Sequence, residues 1–168
     1  MIRPADVSDF EAMWPIFQQI AAAGDTYVFA AETSRADALA YWFGPGITTF
    51  VAEVDDRVVG FYKLIANARD RGAHVANASF MVAPSSGGRG IGRQLGLHCL
   101  REARRAGFVA MQFNFVVSTN AAALALWQSL GFTIVGRLPG AFRHPTQGLV
   151  DAYVMHRSLT GEDASHDE

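Results

Sequence analysis

The sequence is poor in the features that mark several functional classes. It has one cysteine, Cys99, so no internal disulfide can form and the cytoplasm is the expected compartment. No apolar run approaches the roughly 20 residues that a membrane-spanning helix needs, so no membrane partner is expected. The N-terminal MIRPADVSDF has neither the basic nor the apolar region of a secretory signal. Positive charge is not in excess: 14 Lys and Arg face 16 Asp and Glu, a net charge of −2, which argues against nucleic acid as a partner. No His, Cys and Asp grouping has metal-ligand spacing, and no Gly-x-Ser-x-Gly elbow is present, so neither a metal site nor a serine nucleophile is expected. What is there is 168 residues, 50% of them hydrophobic, enough to bury one sizeable core.

Hydrophobic spacing and punctuation order the chain. Ile2 to Pro4 reads as an opening strand, and Ser8-Asp9-Phe10-Glu11 matches the capping box that starts helices. Phe10, Met13, Phe17 and Ile20 then keep helical spacing to a stop at Gly24, with Pro15 expected to kink or delay the helix. Ser34 to Asp37 repeats the capping signal before a shorter helix that ends at Gly44-Pro45-Gly46. Thr48 to Val54 and Arg57 to Ala66, joined by Asp55-Asp56, form a predicted hairpin. A strand over His74 to Ala83, a helix over Gly90 to Ala106 and a strand over Ala110 to Val117 follow. A helix over Asn120 to Leu130 and strands over Phe132 to Arg137 and Leu149 to Arg157 close the order. The domain spans 1–159, and the polar, acidic 160–168 reads as a disordered tail. This order predicts a mixed sheet with helices on its faces rather than a regular doubly wound alternation.

The stretch SSGGRGIGRQLG, Ser85 to Gly96, lies between a strand and a helix, where glycines permit positive φ and the helix start offers unpaired N–H groups. Such a turn is a plausible anion cradle. A P-loop fits the spacing from Gly87 to Gly92, but Arg93 and Gln94 stand where Lys and Ser or Thr are required. A dinucleotide fingerprint starting at Gly90 needs glycine where Leu95 stands. A glycine turn with no ligand is the remaining alternative.

The same residues resemble the acyl-coenzyme A loop of the GNAT superfamily of N-acetyltransferases. Its signature is Gln or Arg, two residues, Gly, one residue, and Gly or Ala. It falls on Gly87, Gly88, Arg89, Gly90, Ile91 and Gly92, with Gly87 in place of the leading side chain. The resemblance implies that the backbone donors from Gly88 to Arg93 hold the pyrophosphate of acetyl-CoA without a metal. A second block, Asn120 to Phe132 with its closing Gly131-Phe132, is also similar to the family. Asn120 is either an N-cap alone or a partner of the pantetheine arm. Many members use a tyrosine of this block as an acid; here Trp127 stands there, and its indole cannot serve.

The implied fold is α/β in the α+β sense: a mixed central sheet of about seven strands, helices on both faces, and a parallel pair splayed at the cofactor site. Pantetheine would pair like a strand with the backbone of Phe80, Met81 and Val82. Asn77 and Ser79 share one side of their strand, and Gln112 and Asn114 share a parity on the next. Polar groups inside apolar strands are either internally satisfied or kept for a ligand. HVANASFMV, AMQFNFVVSTN and LPGAFRHP with DAYVM look like the branch that includes fungal N-acetyltransferases for proline analogues and related bacterial proteins. In that comparison Asn77 and Asn114 are the catalytic candidates, with Phe115 beside them at the substrate.

Tyr27, in the aromatic front segment Tyr27 to Phe29, is a further substrate contact. Glu32 is either a base or a solvated loop acid, and His144 either lines the acceptor pocket or shapes a turn. Cys99 shares a helix face with Ile91, Leu95 and Ala103 and reads as core. The expectation is an acetyl-CoA-dependent transferase for a small-molecule amine, an amino acid or an analogue. A peptide acetyltransferase and a noncatalytic acyl-CoA sensor are the alternatives. Homodimers are common among similar proteins, and no segment here specifies an interface.

Overall fold

The computed structural model describes residues 1–161. The expected acidic tail at 160–168 therefore lies mostly outside the described residues. The elements are β1 (Ile2–Pro4), α1 (Phe10–Ala23), α2 (Arg35–Phe43), β2 (Thr48–Val54), β3 (Arg57–Ala66) and β4 (Val75–Val82). They continue as α3 (Ile91–Arg105), β5 (Ala110–Val117), α4 (Ala121–Ser129), β6 (Thr133–His144) and β7 (Gly148–Ser158). Seven strands form one mixed sheet, as expected, and their order in it is β1-β2-β3-β4-β5-β7-β6.

Two local expectations at α1 are corrected. The capping box is not Ser8 with Glu11. Asp6 accepts from Ser8 N–H at 2.7 Å, Asp9 returns a carboxylate to Asp6 N–H at 2.9 Å, and a 3-10 turn over Val7–Asp9 leads into the helix. Arg3 fixes that choice by gripping both oxygens of Asp9 at 2.9 and 2.7 Å. The helix also runs through Pro15. A mid-helix proline leaves the carbonyl four residues earlier without its N–H, here that of Glu11; both residues are exposed, so water can take that bond.

Alternation on the strands builds a core on each face of the sheet. Phe10, Met13 and Phe17 of α1 and Trp42 of α2 pack on Val51, Phe61 and Met81. Leu95, Cys99 and Leu100 of α3 and Trp127 of α4 cover Met111, Phe113 and Met155 on the other face. Cys99 is fully buried, as core. Helices α3 and α4 meet at Gly96, where a Cβ would lie 2.6 Å from Leu130 Cδ1, so any larger residue requires Leu130 to shift.

The β4–β5 pair is parallel and brief, with register only at Val75↔Ala110 and Ala76↔Met111. Beyond Met111, β5 follows β7 through a bulge between Phe113 and Val116, while β4 stays paired with β3 as far as Val82. A bulge bends its strand. The strands therefore part toward the α3 end, as expected. The last strands exceed their expected bounds: β6 continues past Arg137 because Pro139 and Gly140 are absorbed in a bulge between Leu138 and Phe142. Asp151 of β7 holds that bulge, accepting from Gly140 N–H at 2.9 Å and from Arg137 Nε at 2.5 Å.

Candidate active site

Where β4 and β5 part, a cavity of about 290 Å³ opens, walled by Tyr27 and Tyr41 on one side and by Trp127 on the other. Its described lining residues include no Asp, Glu, Lys, Arg or His. Recognition there falls to hydroxyls, amides and backbone.

The β4 backbone alternates its polar groups. Val75 C=O accepts from Asn67 N–H and Ala83 N–H donates to Val59 C=O, both at 2.8 Å, so odd-numbered residues turn their amides to β3 and even-numbered ones to the gap. Phe80 is even-numbered. In place of a neighbouring strand, Tyr27 takes its groups: the phenol oxygen accepts from Phe80 N–H at 2.9 Å and its O–H donates to Phe80 C=O at 2.5 Å. Burial pushes the Tyr27 phenol far above its ordinary pKa, so the group is a neutral donor and acceptor.

Asn77 closes the last rung of the parallel pair, its Nδ2 donating to Gln112 C=O at 2.9 Å. A carbonyl can only accept, so the amide orientation is fixed, and Asn77 Oδ1 has no hydrogen-bond partner among the described residues. Gln112 Nε2 donates to Asn114 Oδ1 at 2.9 Å, and Asn114 Nδ2 donates to Asn67 Oδ1 at 2.6 Å. Asn114 is thus engaged at both ends.

At the other mouth of the gap, Gly88 and Gly90 adopt φ of 73° and 76°, and a Cβ at either would meet no atom within 4 Å. Conformation, not crowding, demands glycine at both. The first helical bond of α3 is Gln94 N–H to Gly90 C=O at 3.0 Å, and Gly90 offers no side-chain cap. The N–H groups of Ile91, Gly92 and Arg93 therefore face outward from a positive helix end. Gly87 N–H is already committed to Pro84 C=O at 3.2 Å. Asn120 Oδ1 caps α4 by accepting from Ala123 N–H at 3.1 Å, which leaves its Nδ2 for another partner.

Residues 11–132 match the Acetyltransferase (GNAT) family. The chain belongs to that family. It is 31% identical to the L-methionine sulfoximine/L-methionine sulfone acetyltransferase of Salmonella typhimurium over 144 residues, 82% of each protein. It is 35% identical to N-acetyltransferase aca1 of Schizosaccharomyces pombe over 111 residues, 66% of this chain and 53% of that protein. The chain thus matches about half the length of that relative. A GCN5-related N-acetyltransferase from Kribbella flavida shares the fold with a TM-score of 0.89 at 44% identity, covering 94% of this chain and 96% of that one. The GNAT family is acetyl-CoA-dependent, and solved acetyltransferases of this fold hold acetyl-CoA.

The structure brings most of the sequence-derived GNAT site together and leaves some of it apart. Asn77, Phe80, Asn114, Phe115, Asn120, Trp127 and Tyr27 all line the cavity. The side chains of Met81 and Val82 pack in the cores on the α1 and α3 sides; of their backbones, which carried the expectation, that of Val82 faces the gap and that of Met81 faces β3. Glu32 is exposed in the loop before α2 and does not line the cavity. His144 does not line it either: its Nδ1 accepts from Thr146 and Gln147 N–H at 3.2 Å each, which is the turn role. Sequence reasoning missed the Tyr27 clasp on Phe80 and the pairing of Tyr41 with Ser79. It also passed over Lys63, a lone lysine inside FYKLI that is itself a signal.

Among the described residues no group of three or more His, Cys, Asp or Glu could hold a metal ion, and no helix is long and apolar enough to cross a membrane.

Proposed function

We propose that this GNAT protein moves an acetyl group from acetyl-CoA directly to the amine of a small molecule, an amino acid or an analogue of one. The carrying observation is the cavity itself: a free amide acceptor, Asn77 Oδ1, shares a charge-free space with the gap-facing backbone of Phe80. Residues of the chain fit the cosubstrate. The outward N–H groups of Ile91 to Arg93 suit its pyrophosphate, Asn120 Nδ2 suits the pantetheine arm, the Phe80 backbone suits that arm once the Tyr27 phenol gives way, and Trp127 forms a wall.

Acetyl-CoA supplies an acetyl group activated as a thioester. The acceptor nitrogen must reach the carbonyl carbon as a neutral amine; a C–N bond forms, the C–S bond breaks, the nitrogen gives up a proton and the thiolate takes one. Asn77 Oδ1 orients that amine by accepting one of its N–H groups. No described lining residue is an ordinary base, and an α-amine with a pKa of about 8 is partly neutral without one. The enclosure by Tyr27 and Tyr41 favours a small acceptor over a peptide, and the analogue acetylated by the Salmonella relative belongs to the proposed class.

The test is release of free thiol from acetyl-CoA against amino acids, their analogues, polyamines and short peptides. Turnover confined to the first two classes supports the reading. Peptide turnover favours the peptide acetyltransferase, and acetyl-CoA binding by calorimetry with no turnover by any acceptor favours the sensor.

A further inference from the structure

Lys63 sits in the middle of β3 and is 7% exposed. Its cross-strand neighbours are Thr49 on β2 and Ser79 on β4, both hydroxyls. Its ammonium donates to Tyr41 C=O at 2.9 Å and lies 3.1 Å from the centroid of the Tyr41 ring. No carboxylate pairs with it among the described residues. A buried cation without a counter-ion is costly, and here burial lowers its pKa to about 8. Stability alone would favour an apolar side chain at this position.

The hydroxyl of the same ring is where the cost has a use. Tyr41 OH and Ser79 Oγ are hydrogen-bonded at 2.6 Å, and both residues line the cavity. Whichever hydroxyl donates in that pair, the other keeps its own O–H for a ligand. Asn77 Nδ2 gives one N–H to Gln112 C=O and Asn114 Nδ2 one to Asn67 Oδ1; each keeps a second N–H, and Asn77 Oδ1 is the acceptor left over. The cavity is therefore polarised, with a free oxygen acceptor at Asn77 and, at Ser79 and Tyr41, one free hydroxyl donor backed by an uncompensated positive charge.

We propose that the Tyr41–Ser79 hydroxyl pair, with Lys63 behind it, is the subsite for the carboxylate of an α-amino acid acceptor, while Asn77 Oδ1 takes the amine. The inference rests on the acetyltransferase reading and narrows it to acceptors that carry an anion beside the amine. Lys63 touches no ligand in this scheme. It is a positioning residue that holds the Tyr41 ring and sets the sign of the potential at the subsite.

The experiment compares L-methionine sulfone and a panel of L-amino acids with their carboxamides, using the full chain loaded with acetyl-CoA and reading both turnover and calorimetric binding. The expected result is a preference for the acids of at least about tenfold in kcat/KM. In Lys63→Met that preference falls below about threefold, through KM rather than kcat, with acetyl-CoA affinity unchanged. Ser79→Ala and Tyr41→Phe give the same direction and stand in if Lys63→Met does not fold. Equal use of acids and carboxamides by the unaltered protein overturns the subsite, as does an acid preference that survives all three substitutions. If no acid binds or reacts but another amine is acetylated, the subsite is wrong and the transferase reading stands. If acetyl-CoA binds and nothing is acetylated, both fall.

Discussion

The two mouths of the β4–β5 gap are built on different principles. At the α3 mouth the chemistry is main-chain: Gly88 and Gly90 hold left-handed φ, and the N–H groups of Ile91 to Arg93 point outward. At the front mouth it is side-chain: Asn77, Asn114, Tyr27, Tyr41 and Ser79 are fixed by bonds to one another and to distant backbone. Main-chain donors come with any helix start and serve a ligand part that need not vary. Side-chain donors differ from position to position and suit the part that must be discriminated.

That contrast can be broken most forcefully at the α3 mouth. Gly90→Val places a β-branched residue at φ 76°, and acetyl-CoA affinity measured by calorimetry is expected to fall about 100-fold or more. Affinity retained within about threefold would remove this loop from the site. At the front mouth the effects separate from cofactor binding. Asn77→Ala is expected to lower kcat/KM for the acceptor by about 10- to 100-fold with acetyl-CoA affinity unchanged, a pattern that steady-state kinetics beside calorimetry would expose.

Tyr27→Phe links the two mouths. It leaves the Phe80 N–H and C=O without their clasp, so thermal unfolding should show a loss of about 1–2 kcal/mol. If acetyl-CoA uses the same groups, its affinity should rise by a few-fold in that variant. The Lys63 effect is confined to a pH window. Its folded pKa of about 8 lies below the ordinary 10.5, so between those values the unfolded chain binds more protons. Stability therefore rises as pH climbs from about 8 toward 10.5, and the penalty is fully present below that window. Chemical denaturation across this range should show the rise in the unaltered protein and not in Lys63→Met.

The α3 mouth was legible in the sequence because its determinants are local. A glycine at positive φ and an N-cap asparagine act within a few residues, so Gly88, Gly90 and Asn120 could be read from SSGGRGIG and STNAAA. Asn77 and Asn114 were legible as polar interruptions of apolar strands, although their partners were not. Tyr27 meets Phe80 across 53 positions of chain, and nothing in TYVF specifies that meeting. Lys63 was visible in FYKLI, but its meaning depends on the ring that α2 lays beside it. The two breaker residues misled for one reason. Pro15 and the Pro139–Gly140 pair each break local regularity, yet a solvent-facing carbonyl tolerates the first and a bulge held by Asp151 absorbs the second.

The parting of β4 and β5 also has a meaning for solubility. Two strands that separate inside a sheet expose two free edges, and an uncovered edge invites a strand from another molecule. Here the covers are side chains: the Tyr27 phenol lies over the β4 edge at Phe80, and the Asn77 amide over the β5 edge at Gln112. A binding cleft made this way is an edge with removable guards. The protein should be least prone to self-association when either its own tyrosine or a ligand lies along that edge, and most prone when neither does.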